Sequence, residues 1–304
     1  MALADLRSRK AELLGSSTLG VTEYRLADRE FESLRTLVYD LTGITLAENK
    51  RTMLEARLSR RVRTLGLPDF AAYCKLIDAQ MPDGAEIRNM INAVTTNKTE
   101  FFRERHHFEF VKTNVLPKMS STAALGLGAR KLRVWHAGCS TGQEPYSLAM
   151  VISDFQALGP GWDVKLLASD IDTNVLQLAR DGVYRADDIS SVPPDFLRRH
   201  FLRGKGENDG KYLVKPALRE MIAFRHINLL DDPWPLKPTS YFDIVFCRNV
   251  VIYFDKTTQR RLFQRFASRL NPGGYLFIGH SETLHGISEA FIPIGGTIYQ
   301  KPVK

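Results

Sequence analysis

The residues best placed to do chemistry start with Gly138-Cys139-Ser140-Thr141-Gly142. The two glycines let a backbone turn tightly and approach a ligand closely. Upstream, Leu132-Arg133-Val134-Trp135-His136-Ala137 reads as a strand, and downstream Pro145 to Phe155 reads as a helix. A second strand, Asp163 to Ser169, ends at Asp170. In doubly wound sheets ligands sit at the carboxyl ends of the strands, and an acid there can accept both hydroxyls of a ribose. The combination predicts a nucleoside site. Gly-x-Gly-x-x-Gly is absent, so a pyrophosphate cradle is poorly supported. Glu144, at the helix N-terminus, would repel phosphates but could accept the ammonium of a methionine moiety. The pattern favours S-adenosylmethionine over a nicotinamide cofactor.

The same turn matches the nucleophile elbow Gly-x-Ser-x-Gly, with Asp243 and His280 following in hydrolase order. That elbow normally follows several strands, whereas the sequence before Lys131 is mostly helical in period. Ser140 is better read as a helix cap or a pocket wall.

Two further runs carry functional residue types. Thr95-Thr96-Asn97-Lys98-Thr99-Glu100-Phe101-Phe102-Arg103 is polar, aromatic and arginine-bearing. Helix capping explains its Thr and Asn; a pocket lid with Arg103 aimed at an anionic substrate explains the whole run. Cys247-Arg248-Asn249-Val250-Val251-Ile252-Tyr253-Phe254 follows the strand Phe242 to Cys247. Methyltransferases acting on amines often place an Asp- or Asn-Pro-Pro-aromatic motif there. No such pair of prolines is present, which disfavours an exocyclic amine as acceptor. Tyr253 and Arg248 become candidates to position an oxygen nucleophile. The seven histidines show no metal-ligand spacing, and adjacent His106 and His107 are not expected to share a helix face. No metal is expected. Cys139 and Cys247 read as packing residues near the pocket.

These residues need elements to hold them. From Asp28 the apolar period is helical: Phe31, Leu34, Leu37, Val38 and Leu41, with Gly43 as C-cap. Thr45 with Glu48 suggests a capping box. Stripes Leu54-Leu58-Val62-Leu65, Phe70-Tyr73-Ile77 and Ile87-Met90-Ile91-Val94 complete a four-helix bundle. Further on, Asn174 to Arg180 and Gln259 to Leu270 read as helices, the latter ended by Asn271-Pro272-Gly273-Gly274. Residues 220–227 and Tyr275 to Gly279 read as strands. Alternating strands and helices mean an α/β fold with a parallel sheet, and Phe291 to Gln300 suggests antiparallel edge strands. The glycine-bearing run Arg203 to Gly210 looks like a hairpin tip within an inserted β-subdomain at about 183–221. The expected organisation is a flexible tail at 1–20, a helical domain at 21–94, a linker and connecting helix at 95–130, and a Rossmann-like domain at 131–304.

Composition agrees. The 304 residues are 44% hydrophobic and 25% charged, ordinary for a globular chain. The three cysteines, spread apart and odd in number, argue against a disulfide framework and for a reducing compartment. No run approaches the roughly 18 to 20 apolar residues that span a bilayer. A cytoplasmic protein is expected. The net charge of +8 favours an acidic partner. Arg51, Arg57, Arg60, Arg61 and Arg63 on the second helix form a candidate docking surface, although an ordinary solvated face would carry the same charges.

Taken as an ordered set, the motifs resemble the bacterial chemotaxis receptor methyltransferases, the CheR family. The resemblance rests on Thr96 to Arg103, Cys139 to Ser147, Ala168 to Asp172, Asn228-Leu229-Leu230, Phe246 to Phe254 and Gly279-His280-Ser281-Glu282. It implies a helical domain followed by a Rossmann-like S-adenosylmethionine-dependent methyltransferase domain with a small antiparallel β-subdomain inserted. It implies methyl transfer to glutamate carboxylates of chemoreceptor cytoplasmic domains, giving methyl esters and S-adenosylhomocysteine. Asn97, Thr99, Arg103, Gly138, Glu144, Asp170, Asn228, Leu229, Arg248 and Asn249 are the expected cofactor site, and Arg103 and Tyr253 match the residues assigned to catalysis. The hairpin, with Arg203, Gly204, Gly206 and Gly210, resembles the longer version that grips a receptor's C-terminal peptide. Lys98 departs from the neutral residue expected there. A monomer is expected, without nucleic acid and without membrane insertion.

The chemistry is physically economical. A glutamate carboxylate, with a reference pKa near 4.3, is already an anion at neutral pH, so no general base is required. What remains is water exclusion and in-line alignment. An RNA or small-molecule methyltransferase on the same fold would also fit the net charge, but no interleaving of aromatic and basic residues marks a nucleic-acid platform. A non-catalytic receptor-binding adaptor is disfavoured by intact Arg103 and Tyr253.

Overall fold

The structure is a computed structural model and describes residues 24–155 and 161–303. The tail expected at 1–20 lies outside the described residues.

Four helices open the chain: α1 (Asp28–Thr42), α2 (Arg51–Thr64), α3 (Phe70–Ala79) and α4 (Ala85–Val94). Their apolar stripes meet in one core of Phe31, Leu34, Val38, Leu54, Leu58, Val62, Tyr73, Ile77 and Met90. Gly43 ends α1 in the left-handed conformation, its N–H donating to the Tyr39 carbonyl at 2.7 Å. Asp69 caps α3 by accepting from the Ala72 N–H. Leu65, read as part of the second stripe, is instead exposed at the end of α2. The capping box does not form either. Thr45 donates its N–H to the Tyr253 carbonyl at 2.8 Å, Ile44 bridges Phe254, and the turn Glu48–Lys50 starts without a side-chain cap. Tertiary pairing outcompetes the local motif.

The connector carries α5 (His106–Phe110), a π turn at Val111–Val115 and α6 (Leu116–Ala124). The π turn precedes Pro117, which has no N–H to continue the helical ladder.

The second half alternates. β1 (Lys131–Ala137), α7 (Gln143–Asp154), β2 (Asp163–Asp170) and α8 (Thr173–Asp181) come first. The insertion follows: β3 (Val183–Arg185), α9 (Pro194–His200), β4 (Phe201–Arg203), β5 (Lys211–Val214) and α10 (Pro216–Glu220). Then come β6 (Ile222–His226), β7 (Phe242–Cys247), α11 (Lys256–Arg269), β8 (Leu270–Ile278), β9 (Ile292–Gly295) and β10 (Ile298–Gln300). The large sheet runs β6-β2-β1-β7-β8-β10-β9, parallel through β8, with β9 and β10 antiparallel at one edge. The insertion is a separate antiparallel sheet, β3-β5-β4.

Both faces of the parallel strands are covered. Val134, Leu166, Phe246 and Phe277 look into one core, Trp135, Val245, Leu276 and Ile278 into the other. The largest boundary differences from the sequence reading lie at the two ends of α11. Asp255 caps α11 through the Thr258 N–H, so that helix starts earlier than its apolar stripe. Asn271 to Gly274 do not cap it; they belong to β8, whose pairing with β7 slips between Phe242 and Ile244.

The strand order reverses between β1 and β7, each parallel to the other. A crevice opens there, at the carboxyl ends. The helical bundle is fastened over it. Asn228 Nδ2 donates to the Leu41 carbonyl at 2.6 Å, and Asn92 Nδ2 donates to Thr173 Oγ1 at 2.9 Å.

Candidate active site

The turn after β1 is built for close approach. Gly138 has φ +87° and Gly142 φ +94°, and a Cβ at Gly138 would fall 2.3 Å from Val250 Cγ2. Asp170 organises the turn from the neighbouring strand. One carboxylate oxygen accepts the Ser140 N–H at 2.8 Å and the other accepts the Asp172 N–H at 3.0 Å. Burial raises the Asp170 pKa, partly offset by these amides. The same carboxylate lines the cavity.

Ser140 does not cap α7. Its Oγ donates to the Asn97 carbonyl at 3.0 Å. The residues in hydrolase order never assemble. Asp243 sits at the start of β7, taken by the Arg133 N–H and Asn271, while His280 pairs with Glu104.

Behind the turn lies a buried ionic cluster. Arg248, its side chain fully buried, donates to Glu144 Oε2 at 2.7 Å and to the Arg103 carbonyl at 2.7 Å. It also lies 3.1 Å from Glu104 Oε2. His136 Nδ1 is 3.4 Å from Glu144 Oε1. Burial would push Glu144 up, but Arg248 and His136 outweigh it and hold the carboxylate below its ordinary range. Glu104 follows the same balance, held at about 2 by Arg248 and His280 against burial. His107 and His136 are pushed down, first by burial and then by other local charges, His107 to about 4. Arg248 is therefore not free to position an acceptor oxygen, and Glu144 meets any ammonium as the partner of an arginine.

Above the cluster is a cavity of about 320 Å³. It is lined by Asn97, Thr99, Arg103, Gly138, Glu144 and Asp170. Asn228, Leu229, Arg248, Asn249 and Tyr253 line it too, so the fold brings these sequence-selected residues into one space. Their side chains divide the labour. Asn97 donates to Asp172 Oδ2 at 2.7 Å and Asn228 to Leu41, so both amides brace the walls. Asn249 is left-handed at φ 57°, its N–H held by Glu282 Oε2 at 3.0 Å. Arg103 stands between two left-handed residues, Phe102 (φ 55°) and Glu104 (φ 54°), and donates to the Lys98 carbonyl at 3.1 Å. Non-glycine residues pay about 1 kcal/mol or more for that conformation, and here the Glu104–Arg248 pair and the Phe102 N–H bond to Ser147 hold it. The Tyr253 hydroxyl has no partner among the described residues.

Sequence reasoning missed the bundle's share. Ile44, Thr45, Leu46, Lys50, Met53 and Arg57 form a wall of the cavity. It missed Glu104 and Glu282 as anchors; the carboxylates inside Arg103-Glu104-Arg105 and Gly279 to Glu282 were the available signal. It also treated His106 and His107 as facing apart. Their rings lie 4.1 Å apart, and both Nε2 atoms reach the Gly296 carbonyl at 2.9 Å. Among the described residues Glu104, His106 and His107 bring one ligand atom each within 4.8 Å of one another. The Arg248 guanidinium already balances Glu104 at that point.

The five α2 arginines separate. Arg51 pairs with Asp28 and Glu48 over the Phe31 ring, Arg57 holds the Val94 and Thr95 carbonyls, and Arg61 pairs with buried Glu86. Arg60 and Arg63 are exposed. In the insertion, Gly204 donates its N–H to the Lys211 carbonyl at 2.8 Å. Arg203, Gly206 and Gly210 are exposed at the hairpin, away from the cavity lining. Tyr184 of β3 donates to the Thr141 carbonyl at 2.7 Å, so the insertion also buttresses the glycine turn.

Comparison with known proteins decides among chemistries for such a crevice. Residues 97–300 match the CheR methyltransferase SAM binding domain, and residues 29–95 match the CheR methyltransferase all-alpha domain. The chain belongs to the CheR methyltransferase family. It is 43% identical over 287 residues to chemotaxis protein methyltransferase 2 of Pseudomonas aeruginosa, covering 93% of this chain and 97% of that one. It is 42% identical over 275 residues to the chemotaxis protein methyltransferases of Salmonella typhimurium and Escherichia coli, covering 90% of this chain in each case, and 90% and 91% of theirs. The enzyme is an S-adenosylmethionine-dependent methyltransferase of the CheR type, on the Rossmann-like fold described above. No helix among the described residues is long and apolar enough to cross a membrane.

Proposed function

We propose that the enzyme methylates glutamate side chains in the cytoplasmic domains of chemoreceptors, forming glutamyl methyl esters. The observation that carries this reading is a cavity lined by both Arg103 and an unpartnered Tyr253 hydroxyl, with no base among the described lining residues free to take a proton. Glu144 is locked to Arg248 and Asp170 accepts backbone amides. A site without a free base suits an acceptor that is already an anion.

S-adenosylmethionine supplies an electrophilic methyl on a sulfonium when bound. Asp170 is placed for the ribose, Gly138 for close backbone approach, and Glu144 for the methionine ammonium. Asn97, Thr99, Asn228, Leu229, Arg248 and Asn249 shape the remaining walls. Arg103 steers the acceptor carboxylate and Tyr253 fixes its line of approach. The bundle lid excludes water, which strengthens each of these contacts.

In the same reading the segments 21–94, 95–130 and 131–304 act as lid domain, linker and catalytic domain. Arg60 and Arg63 remain available to meet an acidic receptor, while Arg51, Arg57 and Arg61 serve the bundle. The hairpin with Arg203, Gly204, Gly206 and Gly210 is a candidate grip for a receptor's C-terminal peptide, and the enzyme works as a cytoplasmic monomer. The test is direct. Incubate it with methyl-labelled S-adenosylmethionine and receptor-containing membranes, then treat with mild alkali. Volatile labelled methanol is expected; label that survives alkali would overturn the carboxylate acceptor.

A further inference from the structure

A buried acid stands behind the cavity wall. Asp172 is 2% exposed and takes no part in the lining. Its backbone N–H donates to Asp170 Oδ1 at 3.0 Å. Its carboxylate serves two elements. Oδ1 caps α8, accepting the Asn174 N–H at 2.8 Å and the Val175 N–H at 3.3 Å. Oδ2 accepts from Asn97 Nδ2 at 2.7 Å and from Thr95 Oγ1 at 2.9 Å, both in the linker. A helix cap needs only the first oxygen, and a serine would supply it. The second oxygen belongs to the linker.

These bonds close a ring. Asn97 donates to Asp172, Asp172 donates to Asp170, and the other Asp170 oxygen accepts the Ser140 N–H at 2.8 Å. The Ser140 hydroxyl returns to the Asn97 carbonyl at 3.0 Å. The linker, the glycine turn and the end of β2 meet in that ring. The bundle is fastened to it at two points. Arg57 of α2 donates to the Val94 and Thr95 carbonyls at 2.7 Å each. Asn92 of α4 accepts the Thr173 N–H at 3.1 Å and donates to its hydroxyl at 2.9 Å. A ribose bonded to Asp170 and a linker bonded to Asp172 therefore favour the same arrangement.

We infer that Asp172 is a positioning residue, which couples docking of the linker and bundle over the crevice to occupation of the ribose acid. The inference rests on Asp170 as the ribose partner, proposed above. Such coupling is reciprocal. By whatever factor the docked linker tightens cofactor binding, bound cofactor tightens the linker.

The experiment uses the full chain, calorimetry with S-adenosylhomocysteine, and hydrogen exchange with and without that ligand. In the wild type the ligand should slow exchange at residues 95–99. Asp172→Ser keeps the cap and loses the oxygen that meets the linker. Affinity should fall about tenfold, and the slowing at 95–99 should shrink, while the first amides of α8 exchange as before. Asp172→Asn caps equally well and, once the Asn97 amide turns over, keeps a bond to the linker. It should stay within about threefold of wild type. Thr95→Val removes one donor and leaves the carboxylate, so it tests the same link should the Ser variant not fold. It should lose about threefold in affinity, with weaker protection of the linker. Ser and Asn variants that bind alike would make Asp172 a helix cap and nothing more. Asp170→Asn is the control. Loss of affinity there, with Ser and Asn alike at 172, overturns the positioning role alone. Wild-type affinity in Asp170→Asn overturns the ribose reading and the coupling with it.

Discussion

Arg248 and Glu144 face each other at 2.7 Å inside the protein, their side chains 0% and 12% exposed. Two carboxylates, Glu144 and Glu104, depend on that one guanidinium. Arg248→Met would leave both charged groups buried without their cation. Breaking such a pair costs about 3–5 kcal/mol. Urea denaturation at pH 7 should show a loss of that order, and Glu144→Gln added to Arg248→Met should return part of it. A loss under about 1 kcal/mol would mean that the pair is better solvated than its burial indicates.

Gly138→Ala tests how closely the backbone approaches the ligand. The new Cβ would meet Val250 Cγ2 at 2.3 Å, and φ +87° disfavours any side chain. Affinity for S-adenosylhomocysteine, measured calorimetrically, should fall about tenfold or more. Adding Val250→Ala removes the collision but not the backbone penalty, so partial recovery is expected. Full wild-type affinity in the single variant would show that the turn relaxes freely.

Much of this arrangement was legible before any coordinates. The strand–turn–helix at Gly138 and the acid at Asp170 are local signals, and the fold only had to close them into a crevice. The bundle's stripes were equally plain, because burial repeats with the helical period. What stayed hidden was long-range. Thr45 abandons a capping box to pair with Tyr253, a residue remote in sequence. Arg57 looks like surface charge until its guanidinium meets the end of α4. His106 and His107 seem unable to cooperate until Gly296 arrives from the far edge of the sheet. In each case the partner lies on another element, and no spacing rule reaches it.

The buried His107 gives a dependence of stability on pH. Its pKa is pushed down to about 4, by burial first and by Arg248 second, against an ordinary 6.5. The unfolded chain thus binds a proton that the folded one refuses between those values. Stability is full above pH 6.5 and is lost as the pH falls toward 4. Between pH 7 and pH 5 this one group should remove about 2 kcal/mol. His107→Gln should lower stability at pH 7 yet flatten the slope over that window. An unchanged slope would assign the titration to another group.

The exposed arginines of α2 separate docking from folding. Arg60→Ala with Arg63→Ala should leave the melting temperature nearly unchanged and weaken receptor association, mainly at low salt, because rim charges act through steering. Arg61→Ala should do the opposite. Its partner Glu86 is 4% exposed on its side chain, so the loss strands a buried carboxylate and costs about 3 kcal/mol. Receptor affinity that ignores both ionic strength and the double substitution would remove α2 from the docking surface.

Tyr253→Phe separates binding from turnover. The residue ends a short 3-10 turn whose backbone is pinned twice, by the Thr45 N–H on its carbonyl and by the Ile44–Phe254 bridge beside it. The ring should therefore stay in place when the hydroxyl is removed, and the cavity wall keeps its shape. Only the unpartnered hydroxyl disappears, and with it the donor proposed above for the incoming carboxylate. An interaction made chiefly along the reaction path lowers kcat, whereas one made equally in the bound state raises KM. The expected result is a fall in kcat of about tenfold or more, with S-adenosylhomocysteine affinity within about twofold of wild type. Equal loss of both would place the hydroxyl in cofactor binding rather than in alignment, and Arg103 would be left alone to orient the acceptor.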